Sequence, residues 1–255
     1  MATALVTGAT AGIGAAYARL LAKNKFDLVL VARDKKRLAN TAKSLSKEFG
    51  VKVEVLVADL TKTSQLAKVE KRVSSKSKPI EVLINNAGFG LNKSFLDSDV
   101  SGEQELLDVL VTAPMRLTHA VLAVMKSRNS GTVVNVSSVA SWIAGGTYSA
   151  AKSYLTVLTE SLHTELRGTN IKISALCPGF TRTEFHQRGK MKMNGLPNFM
   201  WLTAEKVVTK SWQDAKAGKV ISVPGWQYLI LSSISRFGPR PLVRRMGMKV
   251  RKKQR

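Results

Sequence analysis

Only one of the 255 residues is cysteine, Cys177, and only three are histidine. A single thiol excludes an intramolecular disulfide framework and a cysteine-rich zinc site, and it suits a reducing compartment. His119, His163 and His186 share no metal-ligand spacing with their neighbours, so no metal site is expected. Acid is scarce as well: 17 Asp and Glu stand against 40 Lys and Arg, a formal net charge of +23. No apolar stretch reads as long enough to span a bilayer. The N-terminus runs directly into an apolar segment and a Gly-rich turn, which leaves no room for a signal peptide. What is present is apolar side chain, 44% of the residues, enough at this length to fill a core and too much for a disordered chain. The expectation is a soluble, cytoplasmic protein whose charge needs a reason.

That charge is unevenly placed. Residues 180–255 hold 17 basic and 3 acidic side chains together with 8 of the 16 aromatics, and residues 236–255 hold nine basic side chains and no acid. The front of the chain reads as a scaffold and the back as a surface built to meet something.

Short β-branched runs at 4–7, 28–32, 53–57, 82–85, 132–136, 172–176 and 220–223 alternate with longer segments of helical period. Strands alternating with helices imply βαβ units. The fold class read from this is α/β, a Rossmann-type doubly wound, seven-stranded parallel sheet with helices on both faces. It fills a single domain over 1–225, followed by a basic, partly apolar extension over 226–255. Pro114 interrupts a helical pattern over 103–128 and should kink it. Residues 181–202 lose periodicity, collect Gly, Pro, Met and aromatics, and read as a lid.

The first strand ends in Gly8-Ala9-Thr10-Ala11-Gly12-Ile13-Gly14 and a helix follows at once. Glycines there permit backbone angles and close approaches that a Cβ forbids, so a pyrophosphate can sit on the free N–H groups of the helix. The spacing departs from Gly-x-Gly-x-x-Gly, and a tight strand–helix corner would use the same residues. Further along come Asn85-Asn86-Ala87-Gly88, Ser138, Tyr148-x-x-x-Lys152 and Pro178-Gly179. In this order, after Thr7-Gly-x-x-x-Gly12-x-Gly14, they resemble the short-chain dehydrogenase/reductase family of Rossmann-fold enzymes over roughly residues 1–225.

The resemblance implies a nicotinamide cofactor. Asn86, Ala87 and Gly88 would lie beside it, Asp59 with Leu60 at the adenine, and Pro178, Gly179, Thr181 and Thr183 around the nicotinamide amide and pyrophosphate. Relatives that prefer NAD carry an acid where this chain has Ala32. Arg33 follows, with Lys36 and Arg37 close behind. A guanidinium can clamp a 2′-phosphate with paired hydrogen bonds, so NADP(H) is the expected cofactor, although a solvated helix start would look similar.

Tyr148 and Lys152 are four apart in a helical segment and so share a face. A neighbouring ammonium lowers the pKa of a phenol that is otherwise near 10, fitting Tyr148 to move a proton while Ser138 hydrogen-bonds a carbonyl oxygen. By resemblance Lys152 also reaches the nicotinamide ribose. Ser137 is a rival for the serine role. Two features depart from the family: the loop between Ser138 and Tyr148 is short, and Leu110 stands where an asparagine usually supports a proton relay behind the lysine. Cys177 reads as a packed strand-end residue.

Phe185, Phe199 and Trp201, with Met191, Met193, Leu196 and Met200, suit a hydrophobic, lipid-like or acyl substrate, although residues that only pack the lid onto the core would look the same. The apolar and basic C-terminal extension reads as an interfacial anchor for an anionic membrane, with a merely solvated tail as the alternative; no motif supports nucleic acid as its ligand. It also resembles the tail of reductases acting on long acyl chains, including mycolate-type ketoreductases. Family members often pair through the helices near 103–128 and 147–167, so a homo-oligomer is the family expectation. The sequence thus points to reduction of a ketone or 3-oxoacyl group, with a non-catalytic NADP-binding, membrane-recruited protein as the alternative.

Overall fold

In the computed structural model, which describes residues 1–189, 191 and 196–254, the β-branched runs form strands. These are β1 (Thr3–Thr7), β2 (Asp27–Ala32), β3 (Val53–Val57), β4 (Val82–Asn85), β5 (Gly131–Val136) and β6 (Ile171–Leu176). Helices α1 (Gly12–Lys23), α2 (Lys35–Phe49), α3 (Thr63–Val73), α4 (Val100–Leu107), α5 (Ala113–Arg128) and α6 (Thr147–Glu165) alternate with them. The lid region then holds β7 (Thr181–Arg182), α7 (Phe185–Arg188) and β8 (Leu202–Thr203). The chain closes with α8 (Ala204–Lys216), β9 (Ile221–Ser222), α9 (Trp226–Phe237) and α10 (Arg240–Gln254).

The seven-stranded sheet has the order β3-β2-β1-β4-β5-β6-β9, every neighbour parallel. Winding reverses between β1 and β4, which leaves a crevice at the carboxyl ends of those strands. The period of two along each strand sorts the core. Ala4 and Val6 of β1 pack with Tyr17, Leu21 and Trp212 of α1 and α8, whereas Leu5 packs with Leu66, Leu117 and Val121 of α3 and α5. Both faces of β1 are thereby covered.

Pro114 acts as its chemistry requires. It has no N–H, and its ring would strike the carbonyl four residues back in a continuous helix. The chain widens instead into a π turn over Asp108–Thr112, where the Ala113 N–H bonds the Asp108 carbonyl, five residues back, and Pro114 falls in the first turn of α5. One sequence expectation needs correction: the helical run Val100–Arg128 is long and apolar enough to cross a membrane by length and composition. Here it is a core element, with Ala113, Leu117, Val121 and Met125 buried against the sheet.

The C-terminal extension packs onto the domain through Tyr228, 1% exposed. Its hydroxyl accepts from the Phe180 N–H at 3.0 Å and donates to the Met200 carbonyl at 2.5 Å. Its ring lies flat on Gly179, where an added Cβ would come within 2.1 Å of the ring carbons. Gly179→Ala is therefore expected to lose about 1–3 kcal/mol of stability through overpacking, read as a lowered urea midpoint. An unchanged midpoint would mean that α9 yields without loss.

Candidate active site

The carboxyl ends of the central strands open into one cavity of about 960 Å³. Gly8, at φ +67°, and Gly12, at φ +54°, carry the chain from β1 into α1 through angles that side chains resist. Among the described residues no side chain caps the N-terminus of α1, and Gly12 and Ile13 line the cavity, an arrangement suited to an anion. Thr7 and Asn86 hold the turn against the end of β4. Thr7 Oγ1 accepts from the Asn86 and Ala87 N–H groups at 2.9 and 3.0 Å, and Asn86 Nδ2 donates to the Thr7 carbonyl at 2.9 Å. Gly8, Thr10, Arg33, Asp59, Leu60, Ala87 and Gly88 line this end of the cavity. Arg33 Nη1 lies 3.9 Å from Asp59 Oδ2 and its side chain is largely exposed.

At the other end Ser138, Tyr148 and Lys152 line the same cavity, with Pro178, Gly179, Thr181 and Thr183 beside them. Tyr148 sits in the first turn of α6, where the helix dipole favours a phenolate. In the protein alone, burial pushes its phenol up to about 12, and the neighbouring Ser138 hydroxyl offsets part of the rise. Burial pushes Lys152 down to about 8. Its Nζ lies 5.7 Å from the centre of the Tyr148 ring and donates to the Val136 carbonyl at 2.6 Å. Ser137 also lines the cavity, with its hydroxyl engaged in packing α6 against β5. Its buried hydroxyl donates to the Lys152 carbonyl at 2.9 Å and lies 2.7 Å from Thr156 Oγ1, which ties β5 to α6.

The short chain dehydrogenase family profile matches residues 2–194. The chain belongs to this family. It is 37% identical over 181 residues to the ketoacyl reductase HetN of Nostoc sp., a match covering 70% of this chain and 63% of that relative. It is 28% identical to the very-long-chain 3-oxoacyl-CoA reductase-A of Danio rerio, over 99% of this chain and 79% of the relative. A short-chain dehydrogenase from Sphingobium yanoikuyae, solved in complex with NADPH, superposes with a TM-score of 0.85 at 32% identity, over 98% of this chain and 96% of that one.

In this short-chain dehydrogenase four sequence-selected residues stand apart from the cavity. Gly14 packs beneath the turn, where a Cβ would lie 2.2 Å from the Gly8 carbonyl oxygen. Arg37 is taken by a lid carboxylate. Its two terminal nitrogens donate to Glu184 at 2.8 and 3.1 Å, one also reaches the Thr10 carbonyl at 3.3 Å, and Arg37 pulls the Glu184 carboxyl down to about 2. Phe199 is 63% exposed and points to solvent. Trp201 packs edge-on to His186 and tilted against Phe180, both of which line the cavity, and lies beneath Arg182. Phe185 does line the cavity, as do Met191, Leu196 and Met200; Met193 lies outside the described residues.

Leu110 is 1% exposed, packed with Leu106 and Ala151 against Tyr148, and its Cδ2 fills the space in which a Cβ on Gly88 would sit. Behind it a cavity of about 10 Å³ is lined by Lys152, Thr7 and Asn85, whose buried Oδ1 has no partner among the described residues. Such a space holds about one water. Residues that sequence reasoning missed include Leu231, Ser232 and Ser235 of α9, which wall the cavity. The helical spacing from Tyr228 onward carried that signal.

The lowered Lys152 pKa sets a stability slope. Between about pH 8 and the unfolded value near 10.5, the unfolded chain binds a proton that the folded protein does not, so stability rises with pH there. Lys152→Met should stabilise the cofactor-free protein at pH 7 by an amount on the order of 2 kcal/mol. The advantage should shrink toward pH 10 in urea titrations; a gap independent of pH would contradict the burial cost.

Proposed function

We propose that this protein is an NADPH-dependent reductase of a ketone or 3-oxoacyl group on a hydrophobic, lipid-like substrate, working in the cytoplasm. The observation that carries the reading is that Ser138, Tyr148 and Lys152 share one cavity with the glycine turn. Support also comes from the ketoacyl and oxoacyl-CoA reductases among its relatives and from the NADPH bound by its structural neighbour.

The cavity fits the cofactor chemically. The uncapped end of α1 would hold the pyrophosphate, and Arg33, exposed beside the glycine turn, would take the 2′-phosphate. When bound, NADPH supplies the hydride. The chain does the rest. Ser138 hydrogen-bonds the substrate oxygen as charge gathers there. Tyr148 is protonated in the resting site and delivers its proton to that oxygen. Lys152, held by the Val136 carbonyl, supplies positive charge that favours the phenolate left behind. Phe185, Met191, Leu196 and Met200 give the substrate end apolar, adaptable walls.

Arg33 and Arg37 then divide their tasks: Arg33 reads the 2′-phosphate and Arg37 tethers the lid through Glu184. Arg33→Ala should weaken NADPH binding about 10- to 100-fold and leave NADH binding nearly unchanged, measured by cofactor fluorescence. Arg37→Ala should shift both cofactors alike. If Arg37→Ala is selective for NADPH instead, the assignment is reversed.

Tyr148→Phe should lower turnover of oxoacyl substrates by about 100-fold or more, followed by NADPH absorbance. A second reading, a non-catalytic NADP-binding protein, is favoured by Leu110, which cannot supply the amide of the family relay. NADPH binding without oxidation across a broad carbonyl panel would decide for it.

A further inference from the structure

Helix α9 is built inside out. Its inward side carries Gln227, Tyr228, Ser232 and Ser235, all less than 9% exposed, whereas its outward side carries Trp226 (68% exposed), Leu229, Ile230, Ile234 and Phe237 (83%). These outward residues recur at spacings of three, one, four and three and form one stripe, shared with Ser233, whose hydroxyl donates to the Leu229 carbonyl, and bordered by Arg236. A helix on a water-facing surface shows the opposite pattern, with charge outside. Scattered exposed apolar residues need no explanation, but a contiguous stripe marks a surface that meets something.

The inward polar groups have uses that fix the helix in this orientation. Gln227 Nε2 donates to the Phe199 carbonyl at 3.0 Å, the Tyr228 hydroxyl bridges Phe180 and Met200, and Ser232 and Ser235 border the reaction cavity. Rotating α9 to hide the stripe would break these contacts.

The surroundings name the occupant. After Asp214 the chain has eleven basic residues and no acid. Helix α10 follows α9 directly and exposes Arg240, Arg244, Arg245 and Leu242, while Val243 is buried and Gly247 packs onto Ala144. We propose that the outer stripe of α9, with the arginines of α10, docks this protein on an anionic lipid bilayer, the stripe entering the interface and the guanidinium groups meeting lipid headgroups. A second copy is disfavoured because pairing would bring two like-charged surfaces together. Nucleic acid would use the arginines but leave Leu229, Ile230 and Ile234 in water.

One consequence rests on the functional reading above. The helix that enters the bilayer with one side walls the reaction cavity with the other, so a lipid-like carbonyl reaches the site from the membrane rather than from water.

The docking itself is tested without catalysis. The full chain is sedimented with phosphatidylcholine vesicles that contain or lack phosphatidylglycerol. Binding is expected to the anionic vesicles only, to fall with added salt, and to weaken about tenfold or more in the Ile230→Ser, Phe237→Ser double variant. Both positions are exposed, and unchanged NADPH binding by the variant verifies its fold. Trp226 emission should move to shorter wavelength on anionic vesicles, a shift missing in Trp226→Phe. The proposal is overturned if the double variant binds vesicles as the wild type does, or if neutral and anionic vesicles bind equally. It is also overturned if the wild type is a dimer that the double variant splits, or if duplex DNA is bound and vesicles are not. Vesicle binding without carbonyl reduction would sink the catalytic reading and leave the docking intact.

Discussion

A buried ammonium whose hydrogen-bond partner is a carbonyl oxygen rather than a carboxylate organises this site. Lys152 is 4% exposed and donates to the end of β5 at Val136. A carboxylate there would hold the amine charged and cancel its field at the phenol; a carbonyl satisfies one N–H and leaves the positive charge available. Holding the amine in this way requires α6 to lie against β5 in one register. Ser137 and Thr156 provide the clamp. Tyr148, one turn before Lys152 on the same face, is then placed at the strand ends beside Ser138.

The other half of the site answers to a different constraint, the reversal of winding between β1 and β4. Thr7 and Asn86 hydrogen-bond across that seam, and the glycines let the turn close on itself. The lid is fastened to the same turn: Thr183 sits against Gly12, and Glu184 takes Arg37. An ion pair between two side chains that are each 43% exposed contributes little to stability. Its significance is positional, since it occupies an arginine that would otherwise stand free beside the glycine turn.

Much of the fold was legible because β-branched runs and helical periods are local signals. The seven strands fall where those runs lie, and the glycine turn, Tyr148 and Lys152 meet because a parallel sheet brings all its strand ends to one edge. Pro114 could be read as an interruption, although only the structure gives the π turn. Arg37 was not legible: its partner, Glu184, lies 147 residues away. Phe199 and Trp201 failed as cavity residues for a related reason. Irregular lid backbone has no period from which an inward side can be deduced, and aromatic character alone does not tell a wall from an outer surface.

The C-terminal segment divides the two kinds of information most sharply. By itself the sequence determined its composition, an apolar run followed by nine bases without an acid over residues 236–255. Which side of α9 faces outward was decided by tertiary structure alone. Gly179 leaves room for one ring, Tyr228 fills it, and that contact turns the serines to the cavity and the large apolar side chains away from the protein.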